Sequence, residues 1–175
     1  MSEVRFFEDK EIWSRIQKVR GIMEKKGLDV FIATVPEDVY YLSGYYTMMF
    51  RISGLFFAAI IPKDAEPSLV VPSIDLDIAR KMSTIKDVKV YDFKDPAASI
   101  VKLLKKLGLA EGRVGVQLES LSAKLLEELK KKAPKSEFVD ASEITSDLRM
   151  VTSEEEIKLI RKACEVTDRA LEATV

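Results

Sequence analysis

The chain has 175 residues, 47% hydrophobic and 33% charged, with a formal net charge of -1 and no histidine. That length supports one domain, which buries about 70% of its unfolded surface, and the balanced charge leaves no basic excess for nucleic acid or anionic lipid. Without imidazole no Ser-His or Cys-His pair can form, and a single cysteine rules out an internal disulfide and a ready zinc site.

The N-terminal MSEVRFFEDKEIW sets two phenylalanines among charges and lacks the apolar centre of a signal peptide. The longest apolar run, Leu55 to Ile61, is far short of the ~18 residues that span a bilayer. The expectation is a cytoplasmic chain with no membrane partner. KEIWSRIQKVRGIMEKKG predicts a helix with Ile12, Trp13, Ile16, Val19, Ile22 and Met23 on one face and Gly27 past its end. LDVFIAT is a short apolar strand of the kind buried on both faces. PEDVYYLSGY predicts a helical turn that begins near Pro36 and stops at Gly44. GLFFAAIIP and PSLVVP read as the strands of an antiparallel hairpin joined by KDAE.

From there strands and helices alternate. IDLDIARKM is a helix and VKVYDF a strand. DPAASIVKLLKKLG is a helix with Asp95 as N-cap, Pro96 in first position and Gly108 beyond its end. RVGVQ is a strand, LSAKLLEELKKKAP a helix with Leu121, Leu125, Leu126 and Leu129 inward, and SEFVD the last strand. A short helix around ASEITSDLR precedes the tail. The alternation predicts parallel strands, and the hairpin adds an antiparallel element. The expected fold is α/β: a mixed sheet of about six strands with helices on both faces, over residues 1–148. Residues 149–175 then form a linker and the start of a long helix.

That tail helix has two candidate capping boxes, Thr152 with Glu155 and Ser153 with Glu156. Ile157, Ile160, Cys164, Thr167 and Leu171 form its apolar stripe, which makes Cys164 a small buried hydrophobe if something covers the helix. No glycine or proline marks an end before Val175. The helix therefore reads as a connection toward a further domain, against the plainer reading of a terminus that frays.

Neither GxxxxGK[ST] nor GxGxxG occurs. Asp29, Asp92 and Asp140 lie near strand ends and could converge on Mg²⁺ as in a nuclease, although Asp in such turns usually serves the backbone. Lys130 to Lys132, with Lys135, read as a solvated helix end. The unusual stretch is YYLSGYYTMMFRISG, where tyrosines, methionines and a phenylalanine crowd one connection around Arg51. Tyr and Met are enriched at interfaces and Arg can clamp a carboxylate. Residues Tyr45 to Arg51 are expected to form an exposed contact or gating loop, against a plain core role.

Two stretches resemble the creatinase and Xaa-Pro peptidase superfamily. The tail LRMVTSEEEIKLIRKACEVTDRALEA is similar to that family's domain-joining segment, matching at Leu148, Arg149, Ser153, Glu156, Ile157, Ile160, Arg161, Ala163, Thr167, Asp168 and Ala170; Thr152 stands where Lys is usual. EDVYYLSGY is similar to the motif that follows the family's first strand, with Tyr41, Leu42, Ser43 and Gly44 matching, Asp38 in place of Asn and Tyr45 in place of Phe. The resemblance implies the N-terminal, non-catalytic domain of a prolidase-like enzyme, with a ribonuclease H-like sheet. It implies a separate C-terminal catalytic domain holding two divalent metal ions, none in this chain, and a homodimer acting on short proline-containing peptides. On that basis the expected gate or interface residues are Glu37, Asp38, Tyr45, Tyr46, Met49, Phe50 and Arg51. A free-standing interaction module and a carboxylate-based nuclease are the rival readings.

Overall fold

The computed structural model describes residues 6–52 and 54–174. Residues 1–5, part of the segment read against a signal peptide, lie outside it, as do Ser53 and Val175. Among the described residues the first half contains α1 (Asp9–Lys26), β1 (Val30–Ala33), α2 (Pro36–Ser43), β2 (Ala58–Pro62) and β3 (Ser68–Val71). The second half contains α3 (Leu76–Met82), β4 (Asp87–Val90), α4 (Pro96–Lys106), β5 (Arg113–Val116), α5 (Ala123–Lys132), β6 (Glu137–Asp140), α6 (Glu143–Arg149) and α7 (Glu154–Glu172). Short 3-10 turns at Met48–Arg51 and Ser73–Asp75 complete the order, which follows the sequence pattern element by element.

The strands form one sheet in the order β4-β3-β2-β1-β5-β6. β2 is antiparallel to β1 and β3, and every other neighbouring pair is parallel, so β2 alone runs against the rest. Successive side chains of a strand point to opposite faces. Here Phe31 and Ala33 join Ala59, Ile61, Leu69 and Val71 in a core with α1, α2, α3 and α6. Val30 and Ile32 join Ala58, Ile60, Val70, Val114 and Val116 in a second core with α4 and α5. The all-apolar LDVFIAT is thus explained by a strand with helices over both faces.

Local signals place the helix ends. The Asp95 side chain accepts from the Ala98 N–H, and Ser122 caps α5 by accepting from Leu125. Gly44 adopts φ 70°, which ends α2 and throws the chain into the 45–55 connection; a side chain there would have to enter the left-handed region. At the tail the structure uses the second of the two capping boxes. The Ser153 hydroxyl accepts from the Glu156 N–H while the Glu156 carboxylate accepts from the Ser153 N–H. No residue of α7 is buried. Cys164 is exposed: its burial is expected only under a cover, and its stripe lies on neither core.

Gly115, in the middle of β5, lies where Leu28 and Ala141 close over the strand. A Cβ added there would come within 2.9 Å of both Ala141 Cβ and Leu28 Cδ1. Gly115→Ala is therefore expected to destabilise the fold by about 1–3 kcal/mol, the usual cost of overpacking, read as a lower urea midpoint at unchanged slope.

Candidate functional site

α2 and the connection after it meet α1, α6 and the first turn of α7 around a pocket of about 380 Å³. Its walls are aromatic (Phe7, Tyr40, Tyr41, Tyr46 and Phe50) and its polar groups are Arg15, Arg51, Arg149, Glu37 and Glu156. Of the expected residues, Glu37, Tyr46, Phe50 and Arg51 line this pocket. Glu37, Tyr46 and Arg51 are exposed, and among the described residues Arg51 makes no ion pair. Phe50 is the joint of the loop: its ring meets Tyr45 at 5.6 Å, Tyr46 at 6.0 Å and Phe57 at 4.8 Å, all nearly edge-on. Edge-to-face pairs at these spacings add packing energy beyond burial.

Tyr45, Asp38 and Met49 do not line the pocket. Tyr45 is fully buried, and its hydroxyl donates to Asp75 Oδ2 at 2.5 Å, so it anchors the loop instead of facing outward. Met49 packs against the core. The loop is open only in part: Met48 and Ile52 face solvent while Thr47 is buried, its hydroxyl oxygen accepting from the Met49 N–H.

Asp38 lies one layer beneath the pocket and is 2% exposed. Its Oδ2 accepts from Gln117 Nε2 at 2.5 Å and from the Thr145 hydroxyl at 2.6 Å, and its Oδ1 accepts from Arg149 Nη1 at 2.8 Å. Gln117 in turn accepts the N–H groups of Thr34 and Val35 on Oε1 and donates from Nε2 to Thr145. Asp38 and Arg149 belong to two motifs far apart in the sequence, and here they form one ion pair. Arg149 is held by it at the pocket rim.

Arg15 is the second buried charge, 1% exposed on the apolar face of α1. It donates to Glu11 at 3.1 Å, to the Tyr41 carbonyl at 3.3 Å and to Glu156 at 3.2 Å. Its guanidinium lies 4.1 Å from the Phe7 ring centroid and 4.3 Å from that of Tyr41. Sequence reading missed Arg15 and Gln117. The signal for Arg15 was there: it falls three residues after Ile12 and four before Val19, inside the apolar stripe. Gln117 carried no such sign.

The nuclease reading fails on geometry. Asp29 precedes β1 and accepts from the Arg113 N–H, Asp92 accepts from the Lys94 N–H beyond β4, and Asp140 accepts from the N–H and hydroxyl of Ser142 beyond β6. β4 and β6 are opposite edges of the sheet. The hydrogen bonds from Ser142 hold the Asp140 carboxyl below the usual range. Among the described residues no three of His, Cys, Asp or Glu come together as metal ligands, and the chain has no histidine. The donor set does not fit a pair of divalent ions. The lysine-rich end of α5 is largely neutralised: Lys131 pairs with Glu128, Lys132 with Asp95 and Lys135 with Glu111. No helix among the described residues is long and apolar enough to cross a membrane.

Burial raises the hydroxyl pKa of Tyr45 well above 10, and the bond to Asp75 adds to the effect. In the unfolded chain Tyr45 ionises near pH 10. The folded state keeps its proton, so stability is complete below pH 10 and falls as pH rises above it, by up to about 1.4 kcal/mol per pH unit. Burial also raises the hydroxyls of Tyr40, Tyr41 and Tyr91, so urea titrations between pH 9 and 11 are expected to show that decline, and Tyr45→Phe should lessen its slope without abolishing it while lowering stability at pH 7.

The creatinase/prolidase N-terminal domain model matches residues 15–151. The chain is 34% identical over 162 residues to the Xaa-Pro dipeptidase of Pyrococcus furiosus, covering 92% of this chain and 42% of the relative. The prolidase structure from Pyrococcus horikoshii superposes with a TM-score of 0.69 at 30% identity, covering 91% of this chain and 42% of that one. A proline dipeptidase structure from Streptococcus pneumoniae, 23% identical, shares the fold with a TM-score of 0.66 over 78% of this chain and 98% of its own. The chain thus spans about two fifths of the curated dipeptidases it matches.

Proposed function

Because the chain belongs to the creatinase/prolidase N-terminal domain family, we propose that it is the non-catalytic domain of an Xaa-Pro dipeptidase-like hydrolase, docking beside a catalytic domain and shaping the entrance to its active site. The observation that carries this reading is the coverage: 92% of this chain aligns with 42% of an Xaa-Pro dipeptidase. The chemistry of the pocket supports it. Arg51 and Arg149 offer planar cationic forks to a carboxylate, and the aromatic walls suit a compact apolar ring such as that of proline.

In this reading residues 1–148 form the domain and residues 149–175 lead toward the catalytic part, which holds the two divalent ions. The protein works in the cytoplasm on short proline-containing peptides. It assembles as a homodimer in which Tyr46, Met48 and Ile52, all exposed on the loop, supply contact area. Nothing in residues 1–175 supplies a nucleophile activated by histidine.

The test compares the full-length gene product with residues 1–175 alone, each assayed with X-Pro dipeptides and added divalent metal. Cleavage by the longer protein only is expected; cleavage by the short chain, or by neither, overturns the reading. In the longer protein Arg51→Ala is expected to raise KM about tenfold with kcat nearly unchanged, the mark of a binding contact worth about 1.4 kcal/mol. Unchanged kinetics would remove Arg51 from the site.

A further inference from the structure

Burial in the two cores accounts for every α-helix among the described residues except α7, which has no buried residue, is half-buried only at Glu156, Ile157 and Leu159, and borders an open groove with Phe6, Phe7 and Tyr40. Something else has to set its direction. Immediately before it, Met150 and Val151 are each 77% exposed and lie outside both cores. On the near side of this joint α6 is fixed, because Ile144 is in the core and Arg149 is bound to Asp38. On the far side the first turn of α7 carries Glu156, whose carboxylate serves two partners. One oxygen accepts from the Ser153 N–H at 2.7 Å and closes the cap, while the other accepts from Arg15 Nη2 at 3.2 Å.

We infer that Arg15 is the positioning residue of α7: through Glu156 it straps the helix across the exposed joint and sets the angle at which it leaves the sheet domain. Arg15 is suited to this because it cannot move independently. Its guanidinium is enclosed by the Phe7 and Tyr41 rings and bonded to Glu11 and to the Tyr41 carbonyl. A planar fork with fixed donors transmits direction where a lysine would not. Arg15 is also part of the pocket wall shared with Tyr40 and Arg51, so the angle of α7 and the shape of the pocket are set by the same side chain. The consequence for peptide binding rests on the proposed function, but the positioning itself does not.

The native thiol permits a direct measurement on this chain. Cys164 is the single cysteine, is exposed, and sits eleven residues beyond Ser153 on α7. At 1.5 Å per residue that is roughly 16 Å from the joint, so a 30° swing moves it by about 8 Å. With a spin label on Cys164 and another on Lys18→Cys, an exposed position of α1, the unaltered strap should give one narrow distance distribution. Arg15→Met should shift or broaden it by about 8 Å at that swing. Glu156→Gln, at a half-buried position where Gln still serves a capping box, should do so in part and decides the matter if Arg15→Met does not fold. Arg15→Lys should leave the distribution broader than the native one. A distribution that is already broad, or one that neither variant alters, overturns the inference. In the full-length protein the same variants should raise KM for X-Pro dipeptides. Failure of that arm alone, with the distances changed, would count against the proposed function and leave the strap intact.

Discussion

Asp38 is a carboxylate almost without solvent, and the arrangement around it follows from the need to match both of its oxygens. A buried charge left unpaired costs several kcal/mol, so its partners are held as firmly as any apolar contact. Gln117 comes from the end of β5, Thr145 and Arg149 from α6, and Asp38 itself from the first turn of α2. One group thereby ties together α2, α6 and the chain leaving β5, three elements that the sheet alone does not join. Gln117 adds a fourth by taking the N–H groups of Thr34 and Val35, which sets how the chain turns from β1 into α2.

The pocket above this layer is a consequence. α2 cannot tilt without breaking the bonds to Asp38, so Tyr40 and Tyr41 keep their positions and Arg149 keeps its place at the rim. On the other side Tyr45, bonded to Asp75 and set edge-on to Phe50, fixes the root of the loop while leaving Tyr46, Met48 and Ile52 outward. The same region therefore combines an anchored base with a tip of exposed apolar and aromatic side chains, the arrangement on which the proposed docking role rests. Two of the carboxylates here are engaged in holding structure, Asp38 by Gln117, Thr145 and Arg149, and Glu156 by Arg15 and the Ser153 N–H.

Much of this was legible in the sequence. Alternation, caps and glycine stops gave the element order, because each is a local signal read over a few residues. The apolar VFIA reported a strand covered on both faces. What could not be read were the long-range polar contacts. Asp38 looked like a surface acid in a helical first turn, where acids are common for dipole reasons, and only the fold brings Gln117 and Arg149 to it. Tyr45 looked like its exposed neighbours because nothing local distinguishes a tyrosine that finds Asp75 thirty residues later. Cys164 shows the limit of local pattern from the other side: its stripe is amphipathic, but amphipathicity says that a face can be covered and not what covers it, and here the thiol is exposed.

If Asp38 is the joint between the two motifs, its energy should be shared with Arg149. The most direct measurement is a double-mutant cycle on folding stability with Asp38→Asn, Arg149→Gln and the pair, by urea denaturation at pH 7. The expected result is a coupling of about 1 kcal/mol or more, as found for groups in one charged network. Strict additivity of the two losses, within about 0.3 kcal/mol, would show that the ion pair binds nothing together and would contradict the account.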